Sequence, residues 1–265
     1  MLALASLSGA ADAAWARAGA EFADLALLGG LAVDDASRAA AHDLVARGRE
    51  EFLPDDPLDF ADAELAALDD APIRAGLNVR SATVDPIREV AAVCARHDAV
   101  VEVNAHCRQA ELCAVGCGET LLRDTPRLRR YVAAASETGA TVSVKVRAEV
   151  DGVDLPATAR RVANAGADVI HVDAMDSEAV VADVAAAAPD SFVLANNGVR
   201  DRKTTWEYLA YGADGVSVGR PSDDPAVLRR VARAVDDWAR RRADDGRTLE
   251  REREGEREEE REVPG

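Results

Sequence analysis

"TVSVKVRAEVDGVDLPATARRVANAGADVIHVD", residues 141–173, contains one complete strand–helix–strand unit. The β-branched runs 141–146 and 167–173 bracket a segment near 155–165 with apolar residues at helical spacing. "AGAD" breaks that helix and leads into the second strand. Two strands joined by a covering helix run parallel and bury both of their faces. Each also carries one ionisable residue flanked on both sides by aliphatic ones: Lys145 in the first and His171 in the second.

The same unit recurs in both directions along the chain. Strands are expected at 2–7, 23–28, 73–79, 99–104, 141–146, 167–173, 191–196 and 214–218. Helical patterns fall near 10–19, 35–49, 84–97, 125–138, 155–165, 177–187, 203–211 and 224–242. "SDDPAVLRR" opens the last of these with Asp caps and a Pro. Eight strands alternating with eight helices predict an α/β fold, a (β/α)8 TIM barrel spanning residues 1–243. The competing doubly wound open sheet lacks the G-x-G-x-x-G expected after its first strand. Residues 50–71 make a longer connection, with Pro54 and Pro57 among several Asp. From 244 to 265 the chain is almost devoid of apolar residues, so a charged, disordered tail is expected there.

The 265 residues carry a net charge of −17, and apolar residues make up 48%, enough for a sizeable core. Lys145 and Lys203 are the only lysines; the rest of the 32 basic residues are Arg. An acidic, lysine-poor surface resembles that of proteins from salt-loving (halophilic) organisms, although a GC-rich genome gives a similar bias. No basic stripe for nucleic acid is visible, an objection that weakens in molar salt, where screening acts within about 3 Å. No run approaches the ~20 apolar residues of a membrane span, and the N-terminus lacks the basic region of a signal peptide, so a cytoplasmic protein is expected. Cys107, Cys113 and Cys117 are spaced C-x5-C-x3-C, with no fourth cysteine nearby, which fits no common metal cluster.

Barrel enzymes place their chemistry at the C-terminal ends of the strands. Those ends supply Ser8 after strand 1, Asn78 on strand 3, and Asn104, His106 and Cys107 at strand 4. Lys145 and His171 follow on strands 5 and 6, Asn196, Asn197 and Gly198 on strand 7, and Gly219 and Arg220 on strand 8. An ammonium inside a strand costs several kcal/mol unless an anion or polar ligand meets it, or its stem snorkels to the rim. His171 alone reads equally as a hydrogen-bonded core residue; paired with Lys145 it favours a site. Gly198 and Gly219 allow a phosphate to approach the backbone, with a helix N-terminus and Arg220 adding charge, or else they simply turn the chain.

Together these residues resemble the flavin-dependent dihydrouridine synthase family and, more distantly, dihydroorotate dehydrogenases. "LASLSGAADAAWAR" resembles "LAPMAGVTD-x-x-FR", with Ser6 in place of Pro. "GLNVRS" resembles "VQLxGS", and "VEVNAHCRQ…VGCGETLLRD" resembles "vdlNxGCP…GAGaaLLrd". "VSVKVR", "IHVD", "NNGVRD" and "GADGVSVGRP" resemble "VTVKxR", "vHgR", "aNGDI" and "GADGVMIGRg" in the same order, so that the likeness runs from about residue 3 to 222. The resemblance implies FMN as cofactor, reduced by NADPH or NADH, and reduction of the C5=C6 bond of a uridine in tRNA. It implies that Cys107 protonates C5 and that Lys145 stabilises charge at flavin N1 and O2. His171 would bond the ring or phosphate side, while Asn78, Asn104, Ser8, Asn197, Gly198, Gly219 and Arg220 would hold the cofactor.

Two departures stand out. The family's "GCP" is here "HCR", and a charged His106 would push Cys107 toward thiolate. The family's C-terminal helical RNA-binding domain has no counterpart among these residues, leaving no evident surface for an extruded base. A free pyrimidine substrate, as for a dihydroorotate or dihydropyrimidine dehydrogenase, is therefore an alternative to tRNA. So are a non-redox lyase or isomerase of a phosphorylated metabolite using Lys145, and a non-catalytic flavin or RNA accessory protein.

Overall fold

The computed structural model describes the backbone of residues 1–262 and the side chains of residues 1–244. Its strands are β1 (Leu2–Leu4), β2 (Leu25–Ala32), β3 (Arg74–Arg80), β4 (Val100–Asn104), β5 (Thr141–Arg147), β6 (Val169–Asp173), β7 (Phe192–Asn196) and β8 (Gly215–Val218). They form a closed barrel in sequence order, every pair parallel, with β1 returning to β8. The expected (β/α)8 barrel is thus present, and the β1–β8 pairing excludes an open doubly wound sheet.

The helices are α1 (Ala13–Gly19), α2 (Asp35–Ala46), α3 (Pro57–Ala66), α4 (Asp85–Arg96), α5 (Ala110–Ala114) and α6 (Glu119–Arg123), followed by α7 (Thr125–Ser136), α8 (Leu155–Ala163), α9 (Val180–Ala187), α10 (Arg202–Ala210) and α11 (Pro225–Glu262). The 50–71 connection contains α3, opened by the Asp56 side chain capping the backbone N–H groups of Leu58 and Asp59, with Pro57 in the first turn. The short α5 and α6 fill the loop after β4. Helix α11 continues to Glu262; the tail expected from 244 falls mostly on side chains outside the described residues, as do residues 263–265 altogether. No helix among the described residues is long and apolar enough to cross a membrane.

The strands alternate more strictly than their valine content suggests. On β5, Val142, Val144 and Val146 join the main core between barrel and helices. Thr141, Ser143, Lys145 and Arg147 occupy the other, inward parity. A small apolar cluster of Ala3, Leu25, Leu27, Val100, Val169 and Leu194 fills the N-terminal half of the interior. Toward the C-terminal ends the inward positions turn polar: Asn78, Glu102, Lys145, His171 and Ser217. Polar groups collect there because each strand, read along its inner face, changes from aliphatic to hydrogen-bonding. Gly76 makes room at the interior level of Leu27. A Cβ there would lie 2.8 Å from Leu27 Cδ2 and 2.9 Å from the Val100 carbonyl oxygen. Gly76→Ala is expected to destabilise the barrel by about 1–3 kcal/mol in urea unfolding, through overpacking; an unchanged midpoint would show that the interior has slack there.

Candidate functional site

Adjacent strands align the polar residues side by side. Asn78 pairs in register with Glu102, Glu102 with Ser143, Asn104 with Lys145, and Lys145 with His171. Glu102 is wholly buried at the centre of this set. Its Oε1 accepts from Asn78 Nδ2 at 2.7 Å, and its Oε2 accepts from Ser143 Oγ at 2.9 Å and from His171 Nδ1 at 2.7 Å. Burial by itself pushes the carboxyl up, but the His171 ring, the Lys145 ammonium and the Asn78 amide outweigh it and hold Glu102 down at about 2. Glu102 is therefore a carboxylate at neutral pH, able only to accept.

That fixes the direction of two hydrogen-bonded arms. In the first, Asn78 gives its N–H to Glu102, so its Oδ1 accepts from Asn104 Nδ2 at 2.8 Å. Asn104 Oδ1 in turn accepts from the Cys107 backbone N–H at 3.1 Å and from His106 Nδ1 at 3.2 Å. In the second arm, His171 gives Nδ1–H to Glu102. Its Nε2 accepts from the Ser217 hydroxyl at 2.8 Å, and Ser217 Oγ accepts from Asn196 Nδ2 at 2.6 Å. Burial lowers the pKa of His171, assisted by Lys145 and opposed by Glu102, so the ring is neutral, as this arm requires. Burial first, then the cationic Lys145, Arg80 and Arg147, push His106 well below the usual histidine range. Both effects disfavour a charged His106 ring.

Both arms end at one cavity of about 660 Å³ at the C-terminal mouth, within the range of small-ligand sites. Its walls include His106, Lys145, Asp173, Asn196 and Asn197, with Gly198, Arg200, Gly219 and Arg220 toward β7 and β8. Lys145 is only 3% exposed, and its ammonium has no hydrogen bond or ion pair among the described residues. Burial lowers its pKa against the opposing pull of Glu102 and Asp173. At Gly219 an added Cβ would meet no atom within 4 Å, and at Gly198 only an Arg200 guanidinium nitrogen at 3.8 Å. The β7 end turns through Asn197 and Gly198, with φ of 95° and 68°. Asn197 holds its left-handed backbone by donating Nδ2 to Asp173 Oδ1 at 2.8 Å and accepting Tyr208 OH at its carbonyl, 2.9 Å. The N-terminus of α10, expected to contribute to anion binding, is already capped by the Asp201 carboxylate in a reciprocal pair with Thr204. Anion capacity at this end therefore rests on the glycines and on Arg200 and Arg220.

The structure brings Lys145, Asn197, Gly198, Gly219 and Arg220 together on the cavity wall. It puts His171, Asn78 and Asn104 one layer beneath, in the arms. Ser8 sits across the mouth, where its Oγ accepts from Arg80, which also forms a 2.6 Å buried ion pair with Glu51. Cys107 is not among the cavity-lining residues; it packs beside Ala40, Leu44, Leu112 and Cys117. Glu102, Ser143, Ser217 and Asp173 are absent from the sequence-derived candidates. Glu102 carried the signal that singled out Lys145, a charge between valines in "VVEVN". Among the described residues, no group of three or more His, Cys, Asp or Glu is placed to hold a metal ion.

No family model matches the sequence. An uncharacterized protein of Methanocaldococcus jannaschii is 24% identical over 228 residues, covering 82% of this chain and 87% of that protein. Among solved structures, DHODH from Eimeria tenella in complex with ferulenol superposes with a TM-score of 0.64 at 14% identity, over 91% of this chain and 82% of that one. The 3-hexulose-6-phosphate synthase of Salmonella typhimurium gives 0.53 at 17% identity, over 88% and 97% of the two chains. The tryptophan synthase complex of Pyrococcus furiosus gives 0.53 at 13%, over 89% and 92%. At these identities the structures share the barrel fold.

The neutral His106 has a measurable consequence. Its folded pKa lies below the unfolded value of about 6.5, so below that pH the unfolded chain binds the extra proton and stability falls as pH falls. One such ring contributes up to ~1.4 kcal/mol per pH unit. His106→Gln is expected to flatten the loss of stability between pH 6.5 and 5 by up to that slope in urea titrations; an unaltered slope would mean that the ring protonates freely in the fold.

Proposed function

We propose that this chain is an FMN-dependent oxidoreductase that reduces the C5=C6 bond of a pyrimidine, with uridine in tRNA as the substrate the dihydrouridine synthase resemblance implies. The observation that carries the reading is Lys145: a buried ammonium, without a hydrogen bond or ion pair among the described residues, opening on a large cavity with a glycine-walled far end. A flavin mononucleotide offers ring oxygens to the ammonium and a phosphate to the other end. The open space at Gly219, the room at Gly198 and the adjacent Arg220 fit that phosphate. A barrel neighbour that is itself a dihydroorotate dehydrogenase supports the reading.

Bound FMN, reduced by NADPH or NADH, would supply hydride for C6 of the pyrimidine. The chain's own residues then have separable tasks. Lys145 holds the ring oxygens, and an anion beside it restores the ammonium that burial disfavours. Gly198, Gly219, Asn197 and Arg220 hold the phosphate. Asn104 ties the Cys107 backbone to the end of β4 at 3.1 Å; the thiol, the proton source for C5 that the resemblance implies, would have to turn from its apolar packing beside Leu44 and Leu112 to reach the ligand. The His171 arm keeps Asn196 and Ser217 oriented at the cavity wall.

The −17 charge favours a small pyrimidine over folded RNA at low salt and leaves tRNA accessible when salt screens that charge. A second reading rests on the same placement of Lys145, a buried amine opening on a cavity with a glycine-walled end, as a Schiff-base lyase of a phosphorylated carbonyl compound requires.

The expected result is a purified protein that takes up FMN with a visible flavin spectrum and, with NADPH, adds two hydrogens to a uridine of unmodified tRNA or to free uracil, read by mass. Lys145→Met is expected to weaken FMN binding at least tenfold. Absence of flavin uptake would remove the redox reading, and borohydride trapping of a phosphorylated aldehyde on Lys145 would replace it.

A further inference from the structure

The first arm ends on a histidine whose tautomer is already decided. Glu102 can only accept, so Asn78 and Asn104 must both point their N–H groups toward it. The oxygen left at Asn104 also only accepts, and His106 therefore carries its proton on Nδ1, 3.2 Å away. His106 Nε2 is left without a proton and without a partner among the described residues, on a ring that lines the cavity. The second arm also leaves an acceptor at the wall: Asn196 gives one N–H to Ser217, and its side-chain oxygen has no partner among the described residues.

We propose that His106 is the specificity-determining acceptor of this cavity, its bare Nε2 selecting a ring ligand that offers a lactam N–H. The choice of ligand rests on the flavin and pyrimidine reading above; the tautomer does not. Burial first, then the positive charge of Lys145, Arg80 and Arg147, disfavour its protonation and with it a second donor on the ring. A site whose buried acceptor loses its donor discriminates strongly against the analogue lacking it, because the acceptor is then stranded and a methyl group fills its approach. Flavin and uracil both offer such an N–H, at N3 of each ring. Glycine, at this position in the family motif the chain resembles, has no side chain to make this contact.

Two measurements test the proposal. Nitrogen-15 NMR of the flavin-free protein is expected to show His106, assigned by backbone connectivity, with Nδ1 protonated and Nε2 bare from pH 5 to 9. An Nε2–H tautomer or a charged ring overturns the proposal, whatever the protein binds. Binding is then compared for FMN against N3-methyl FMN, and, in the FMN-loaded protein, for uracil against 3-methyluracil. A loss of at least a hundredfold on methylation in the first pair places the flavin at His106, and in the second pair the pyrimidine. Equal binding in both pairs, or no binding of any of the four, overturns the selection. If FMN fails to bind while the Nδ1–H tautomer is present, the redox reading falls and the acceptor role at His106 falls with it, but the locked ring itself stands.

Discussion

A carboxylate with no access to water sits in the middle of the barrel, and the upper half of the structure is arranged around it. An ion moved from water into a low-dielectric interior loses several kcal/mol that only well-aimed donors and nearby positive charge recover. Glu102 receives three donors from three different strands, β3, β5 and β6, with Lys145 adding positive charge. Because the strands are locked in register, these donors arrive already aimed. Once the anion is in place, every amide, hydroxyl and imidazole connected to it must point its hydrogen inward. A conventional buried ion pair neutralises charge; this arrangement also gives polarity to side chains two and three bonds away.

That polarity divides the cavity. On the side of β4 and β7 the wall exposes acceptors, at His106 and Asn196, because the donors of those arms are turned toward Glu102. On the side of β5 and the β8 loop it exposes cations, Lys145 and Arg220. A neutral apolar guest would leave both unsatisfied, whereas a heterocycle with polarised N–H and C=O edges and an anionic tail meets both. Across the mouth, the buried Arg80–Glu51 pair ties the 47–56 connection down to β3, and the Phe52 bridge to Leu31 closes the same segment onto β2. Glycine at position 30 is part of this, since a Cβ there would lie within 2.9 Å of the Arg80 guanidinium.

The architecture was legible because short aliphatic strands and amphipathic helices alternate eight times, and each expected strand lies within a few residues of the observed one. Lys145 was legible for a related reason, as a charge in an apolar strand is conspicuous. Glu102 obeys the same rule but is harder to read, since a single acid in "VVEVN" next to a named Asn looks like a strand edge. Asn78, His171 and Ser8 were legible as polar strand-end residues but not as lying beneath or across from the cavity. Depth within a barrel depends on strand stagger, which is a property of the closed sheet and not of any one strand. The Arg80–Glu51 pair joins a strand to a long connection 29 residues away and has no local signal at all.

The order of two adjacent residues shows how finely the end of β4 controls what the cavity meets. Asn104 points inward into the hydrogen-bonded arm and Ala105 belongs to the outer core. His106 returns to the cavity side, and Cys107 packs toward α2 and α5 beside Ala40 and Leu112. The alternation of the strand thus persists past its last hydrogen-bonded residue, because Asn104 Oδ1 gathers the Cys107 N–H and the His106 ring and holds the turn rigid. In a "GCP" sequence the position before the thiol contributes only backbone, and the cysteine is the first side chain available to the ligand. In "HCR" an imidazole of fixed tautomer is the residue on the wall, and the thiol must reach the ligand past it. The substitution therefore adds an acceptor where glycine offers none, and the ring, held by Asn104, cannot turn aside without breaking the arm that begins at Glu102.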